Sequence, residues 1–199
     1  MVPKIPLGFE VSDVLRAAAE LQDFCGRQRW RFCFIGGIAA QRWSEPRFTH
    51  DADLTLLTGF GSEESYVDKL LAQFSARSDG ERGFALQARV VRLTSSTGVP
   101  LDIALGAFPF EERPVDRASP WKARHSNLSL ITCSAEDLVV HKAFAGRDRD
   151  WLDIQALVTR QGHKLKVEQI WAELRPLVAL KEEPEILTKL QHIFDKHLD

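Results

Sequence analysis

Residues 32–57 read FCFIGGIAAQRWSEPRFTHDADLTLL, and this stretch decides the fold. The apolar run 32–35 is stopped by two glycines, a pattern that predicts a short buried strand. Residues 38–43 predict a helix that ends before Pro46. Residues 52–57 predict a second strand. A strand, a glycine turn, a helix and another strand in close succession indicate a small α/β sheet.

Two aspartates, Asp51 and Asp53, stand at the beginning of the second predicted strand. Residues two apart on a strand point to the same face, so the two carboxylates lie side by side and repel each other. A cation between them offsets that repulsion, and Mg²⁺ prefers such oxygen ligands together with phosphate oxygens. An Asp-x-Asp pair is weak evidence by itself, because most such pairs lie in solvated turns. Three further features favour a metal site.

The first feature is the glycine pair Gly36-Gly37 between the predicted strand and helix. Glycines let backbone N–H groups approach a phosphate closely, and the N-terminus of a helix adds a favourable potential for anions. The alternative interpretation is an ordinary strand–helix turn. If the aspartates hold a metal, the glycines predict a neighbouring phosphate site.

The second feature is Asp102, a single acid within the apolar segment 99–104. An unpaired charge among apolar residues is costly. We therefore interpret Asp102 as a third carboxylate of the metal site, and as a candidate base for an attacking hydroxyl. The alternative is an edge-strand aspartate that faces water.

The third feature is Lys142, on a helix predicted to begin at Ser134. The lysine lies beside the apolar face of that helix, where its ammonium can reach a triphosphate. The alternative is a solvated lysine that extends past the apolar face. Asp150 and Asp153 follow, and they are candidates either to orient Lys142 or an arginine, or to cap helices.

The remaining segments complete the architecture. Apolar periodicity and alternation predict helices at 12–26 and 63–74, a hairpin of strands at 84–93 and 100–105, and a strand at 128–132. After residue 146 only helices are predicted. We therefore expect an α/β (α+β) fold, with a small mixed β-sheet core flanked by helices over 1–132 and a helical C-terminal segment, 133–199, packed on that core.

Composition excludes several classes of protein. The chain has 199 residues and a net charge of −2, so it has no global basic signal for nucleic acid. Its three cysteines have no Cys-x-x-Cys spacing and predict buried thiols in a reducing, cytoplasmic setting. We find no secretory signal pattern, and no apolar run approaches the ~18 residues of a membrane span.

Together, Gly36-Gly37, Asp51, Asp53 and Asp102 resemble the motif of the nucleotidyltransferase superfamily, the polymerase-beta-like group. The finer pattern begins with Arg47-x-Thr49-x-Asp51-x-Asp53. It continues with Glu136-Asp137-Leu138 in the helix that carries Lys142, and it ends with Arg147-x-Arg149-Asp150-x-x-Asp153. This pattern is similar to two branches of the group. One comprises the abortive-infection (AbiEii-type) toxin nucleotidyltransferases of toxin–antitoxin systems, and the other comprises the small aminoglycoside and lincosamide nucleotidyltransferases. The resemblance covers residues 30–155.

The resemblance implies a Mg²⁺-dependent enzyme that uses an NTP. The metal ligands and catalytic residues it implies are Asp51, Asp53 and Asp102. The phosphate or nucleotide contacts it implies are Gly36, Gly37, Arg42, Arg47, Thr49 and Lys142. His50 beside the acids is expected to point to the opposite strand face and to be structural.

The resemblance leaves the acceptor open: an RNA end, a protein that is the cognate partner in a toxin–antitoxin pair, or an antibiotic. A polycationic drug would require an acidic pocket, for which the candidates are Glu63, Glu64, Glu111, Glu112 and Asp116. RNA contact could involve Arg27, Arg29 and Arg31, although a solvated face is the simpler interpretation. A further alternative is a nucleotide-binding interaction module without catalysis, but such loss of chemistry is usually accompanied by a missing acid.

Overall fold

The computed structural model describes residues 11–44, 49–123 and 126–198. Its α-helices within these ranges are α1 (Val11–Arg27), α2 (Gly36–Trp43), α3 (Glu63–Gln73), α4 (Glu81–Ala88), α5 (Pro109–Asp116), α6 (Ala135–Ala145), α7 (Asp148–Gln161), α8 (Val167–Lys181) and α9 (Glu185–His197). A short 3₁₀ helix, Gly162–Lys164, joins α7 to α8. No helix in the described ranges combines the length and the apolar character needed to cross a membrane.

The strands form one mixed sheet. They are β1 (Phe32–Phe34), β2 (Ala52–Leu57), β3 (Ser75–Ala76), β4 (Val90–Thr94), β5 (Pro100–Gly106), β6 (Ser119–Lys122) and β7 (Ser129–Thr132). Their order across the sheet is β3-β4-β5-β2-β1-β7-β6. The central pair β2 and β5 is parallel, as is β1 with β7, and the other pairs are antiparallel. The predicted α/β fold with a mixed sheet is confirmed.

Alternation along the strands places two apolar clusters on opposite faces of the sheet. Phe32 and Phe34 of β1 belong to the first cluster, together with α1, α3 and α4. Cys33, between them, belongs to the second cluster with α6 to α9, and α2 contributes to both. Cys33 is paired in register with Thr55. Thr55 therefore faces the second cluster, as does Asp53 two residues earlier on β2.

The predicted hairpin is confirmed in part. Strands β4 and β5 pair antiparallel, as predicted. The prediction of a strand over 84–93 is wrong for its first half, because residues 81–88 form α4. A left-handed residue stands at each end of this helix, Gly80 (φ +76°) and Arg89 (φ +54°). Over so short a run, partial apolar alternation does not distinguish a strand from a helix. Packing of Ala85 into the core favours the helix.

Several short elements were not predicted, namely β3, α5 and β6. Helix α5 contains Pro109 and Pro114, and β6 contains Pro120, so the sequence there is typical of a loop. The change from a mixed sheet to helices alone coincides with the end of β7 and the beginning of α6. The division into a core at 1–132 and a helical segment at 133–199 stays a prediction.

Candidate active site

Three carboxylates converge where β1 turns into α2 and where β2 and β5 begin. One oxygen each from Asp51, Asp53 and Asp102 lies within 4.8 Å of the others. Parallel pairing of β2 with β5 sets Asp53 in register with Asp102, so these two side chains are neighbours on one face. Asp51 precedes β2 by one residue and joins them. All three are half-buried.

The two glycines of the β1–α2 turn leave no room for a side chain. Gly36 has φ +53°, and a Cβ atom there would lie 2.0 Å from Oδ2 of Asp53. A Cβ atom on Gly37 would lie 2.2 Å from Oγ1 of Thr49. Asp53 therefore approaches Gly36 closely and Thr49 approaches Gly37 closely, which favours glycine at both positions.

Thr49 orients an acid of the site. It is buried, and its hydroxyl donates to Oδ1 of Asp51 at 3.1 Å. It lines the same pocket as the aspartates, although its hydroxyl is directed at a carboxylate. The geometry thus gives Thr49 a positioning role toward Asp51.

The electrostatics of the acid cluster favour a cation. Burial, followed by repulsion from Asp51, raises the pKa of Asp53 from its usual 3.8 to about 6. A backbone hydrogen bond from Gly37 and the positive charges of Arg147 and Lys142 lower it in part. The ionised cluster therefore carries a cost that a bound divalent cation would offset.

This raised pKa predicts a pH dependence of stability in metal-free protein. Between pH 4 and 6 the folded state holds the Asp53 proton more tightly than the unfolded chain does, so ionisation of Asp53 lowers stability as the pH rises through that range. An Asp53→Asn variant lacks this ionisation. Urea unfolding in EDTA should show the variant gaining stability relative to wild type from pH 4 to pH 6, with the difference constant above about pH 7. A difference independent of pH would contradict the expected shift.

Lys142 is buried beside the acids and is held by two carboxylates of α7. Its Nζ lies 3.1 Å from Oδ1 of Asp150 and 2.5 Å from Oδ2 of Asp153. Asp150 also accepts from Nε of Arg147 at 2.6 Å. Of the roles predicted for the two acids, the structure favours orienting Lys142, and Asp150 orients Arg147 as well.

Replacing Lys142 with methionine is expected to lower the free energy of unfolding by about 3 kcal/mol, because two buried carboxylates lose their shared cation. Urea denaturation measures the change. The exposed Lys164→Met is the matched control and should change stability by less than about 0.5 kcal/mol. Adding Asp153→Asn to Lys142→Met should restore part of the loss. Equal losses in the two lysine variants would contradict the buried ion-pair network.

The structure separates the other predicted nucleotide contacts. The guanidinium of Arg42 donates to the carbonyl oxygen of Ser119 at 2.8 Å and to Oγ1 of Thr132 at 3.0 Å. It therefore links α2 to β6 and β7 and is not among the residues that line the pocket beside the acids; its role as a nucleotide contact stays a prediction. Arg47 lies outside the described residues. His50 precedes β2 and lines the same pocket as Asp51, and its expected structural role stays a prediction.

Two cations of the pocket were missed by sequence reasoning. Arg147 and Arg149 line it together with Gly36, Gly37 and Lys142. The signal for them in the sequence is the Arg-x-Arg-Asp run at the start of α7, whose spacing does not assign a role to each arginine. The pocket is thus lined by the carboxylates of Asp51, Asp53 and Asp150 and by the cations Lys142, Arg147 and Arg149.

The acidic residues considered for a polycationic drug do not all line one pocket: Glu63 and Glu64 line one, and Glu112 lines another. Glu63 pairs with Arg89, Glu64 with Arg82, and both Glu112 and Asp116 with Arg31. Glu111 accepts from the backbone N–H groups of Ala107 and Phe108. Four of these acids therefore have arginine partners, and the RNA contact considered for Arg27, Arg29 and Arg31 stays a prediction.

A family model described as nucleotidyl transferase AbiEii toxin, type IV TA system, matches residues 25–198. The chain belongs to this family. The matched range includes all three aspartates, both glycines and the cations of α6 and α7. This AbiEii-family chain is accordingly a nucleotidyltransferase, as the resemblance implied. A comparison with curated protein sequences gave no match.

Solved structures share the fold of the AbiEii-family chain. An antigenic nucleotidyltransferase-like protein from Paracoccidioides brasiliensis is 14% identical, with a TM-score of 0.54 over 92% of this chain and 94% of that one. The antibiotic-resistance factor ANT(2'')-Ia is 13% identical, with a TM-score of 0.54 over 92% and 99%. The lincosamide antibiotic adenylyltransferase LnuA is 15% identical, with a TM-score of 0.46 over 71% and 94%. At these identities the first two establish the fold alone.

Proposed function

We propose that the chain transfers a nucleoside monophosphate from an NTP to a hydroxyl of an RNA end or a protein, as part of a toxin–antitoxin system. The observation that carries this proposal is the convergence of Asp51, Asp53 and Asp102 within 4.8 Å beside the Gly36-Gly37 turn. Membership of a toxin nucleotidyltransferase family supports the setting. Three buried, free thiols fit a cytoplasmic location.

The three carboxylates fit a magnesium ion. Their oxygens are hard ligands, they are close enough to share one cation, and burial and repulsion from Asp51 raise the pKa of Asp53, a cost of ionisation that a cation would offset. We propose Asp51, Asp53 and Asp102 as the metal ligands. When bound, Mg²⁺ supplies Lewis-acid stabilisation of the charge on the transferred phosphoryl group.

The triphosphate is proposed to lie between the glycine turn and the cations of α6 and α7. We propose that N–H groups at the N-terminus of α2, which begins at Gly36 beside the acids, contribute to binding the phosphates. Lys142 and Arg147 are oriented by Asp150, and Arg149 is exposed at the rim. These positive charges would hold the phosphates in place and stabilise the leaving pyrophosphate.

The chemistry is an in-line displacement at the α-phosphorus. A bond forms between the acceptor oxygen and the α-phosphorus while the bond from that phosphorus to the β-phosphate oxygen breaks, and pyrophosphate leaves. We propose that the acceptor proton passes to the carboxylate of Asp102, which lies on the strand next to Asp53.

The test is transfer of label from each of the four NTPs, labelled at the α-phosphorus, to total RNA or total protein in the presence of Mg²⁺. We expect labelled RNA or protein with at least one NTP, loss of labelling in EDTA, and release of pyrophosphate. A third arm supplies aminoglycosides and lincosamides. Labelling of a drug alone would favour the antibiotic alternative. No labelling, together with no Mg-NTP binding by calorimetry, would favour the non-catalytic module.

A further inference from the structure

One of the three candidate metal ligands already has a cationic partner. A guanidinium nitrogen of Arg77 forms an ion pair with Oδ1 of Asp102. This oxygen is shielded from solvent and has no other hydrogen-bond partner among the residues that the structure describes. A buried carboxylate oxygen requires a counter-charge, and in the metal-free protein Arg77 supplies it.

The backbone fixes the position of Arg77. Strand β3 pairs with β4, with Ser75 in register with Thr94 and Ala76 with Leu93. The N–H of Arg77 continues this pairing and donates to the carbonyl oxygen of Arg92 at 3.1 Å. Since Arg92 is in register with Asp102 on β5, the arrangement carries Arg77 to the edge of the acid cluster.

The neighbouring arginine is committed elsewhere. Arg92 donates from its guanidinium to both oxygens of Glu81, at 3.0 and 3.3 Å, and the Glu81 side chain is only 1% exposed. Its guanidinium also lies 3.7 Å from the centre of the Phe84 ring. Arg92 therefore balances a buried acid of α4. Arg77, whose side chain is 32% exposed, can leave Asp102 for solvent at little cost.

We propose that Arg77 is a stand-in cation, which neutralises Asp102 in the metal-free enzyme and is displaced when a divalent ion binds. A guanidinium and a divalent cation compete for the same carboxylate oxygen, so the ion pair lowers the apparent metal affinity while it keeps the acid cluster stable before metal arrives. This inference rests on the proposed metal site. It makes Arg77 a positioning residue that acts through Asp102.

The experiment is calorimetric titration of Mg²⁺, and separately of Mn²⁺, into nucleotide-free full-length protein. An Arg77→Gln variant should bind either ion roughly fivefold more tightly than wild type. A partly exposed ion pair contributes up to about 1 kcal/mol, which corresponds to about fivefold in affinity, and the variant no longer loses this energy when the metal displaces the arginine. Arg77→Lys keeps the charge and should stay near wild type. Arg77→Gln should unfold at a slightly lower temperature without metal and gain more from added Mg²⁺ than wild type does.

Arg82→Gln is the matched control. It removes the same charge from α4, but its partners are Asp68 and Glu64 on the surface of α3. If Arg77→Gln binds metal no more tightly than Arg82→Gln, or less tightly than wild type, the stand-in role is overturned while the metal site remains. If no variant binds either ion, the proposed metal site falls and this inference falls with it. Tighter binding by Arg77→Gln without any transfer activity would support the inference and count against the proposed function.

Discussion

Replacing Asp53 with asparagine is expected to lower nucleotidyl transfer by about a thousandfold, with the fold intact. The substitution keeps the size of the side chain beside Gly36 and removes one of three carboxylates that converge within 4.8 Å. Loss of a metal ligand removes several kcal/mol of transition-state stabilisation, and each ~1.4 kcal/mol is a factor of ten in rate. Initial rates of label transfer at saturating Mg²⁺ measure the effect.

The matched control for this substitution is Asp195→Asn. Asp195 is an exposed aspartate of α9 that accepts a hydrogen bond from Gln191. The Asp195→Asn substitution removes the same charge at a distance from the acid cluster, so transfer should stay within about twofold of wild type. An Asp53→Asn protein that unfolds cooperatively and transfers nucleotide at a rate close to wild type would exclude Asp53 from the metal site.

Replacing Gly36 with alanine is expected to lower transfer by about a hundredfold and to destabilise the protein by about 2 kcal/mol. The residue has φ +53°, where an alanine is strained, and the added methyl group would lie 2.0 Å from Oδ2 of Asp53. Relief of that overlap requires Asp53 or the turn to move, and small displacements of a ligand or phosphate contact are costly to catalysis. Transfer rates and urea unfolding measure the two effects.

Gly83→Ala provides the comparison for the glycine substitution. Gly83 lies inside α4, and an added Cβ atom meets no heavy atom within 4 Å. Alanine favours a helix over glycine by roughly 0.5–1 kcal/mol, so this variant should be slightly more stable and equally active. A Gly36→Ala protein that behaves like Gly83→Ala would mean that the glycine turn is not needed for close approach of the acids.

Local patterns were sufficient for most of the strands near the site. Residues 52–57 were predicted and observed as β2, because a short apolar run that ends at Thr58-Gly59 is typical of a buried strand. The segment 84–93 was misassigned because the choice there depended on contacts of Ala85 with the core and on Glu81, which is buried against Arg92. Such contacts join residues of different elements, so the spacing of apolar residues along the segment does not reveal them.

The residues of the candidate site also divide into those that local sequence patterns identify and those that only tertiary contacts bring together. Asp51 and Asp53 were recognisable as a pair because residues two apart share a face of a strand. The hydrogen bonds of Arg42 could not be predicted, because its direction depends on where β6 and β7 lie relative to α2. Arg77 was missed because only the pairing of β3 with β4 brings it near Asp102.

The sequence by itself determined the α/β architecture, the paired aspartates, the glycine turn and the resemblance to nucleotidyltransferases, since each depends on periodicity or spacing within a few residues. The sequence also suggested Asp102 as a third acid, but only the tertiary structure decided its register with Asp53, the choice between orienting Lys142 and capping helices for the acids of α7, and the contact of Arg77 with Asp102. Strand register and helix packing act between residues far apart in the chain. Their outcome depends on burying both apolar faces of the sheet at once, which spacing along the sequence does not reveal.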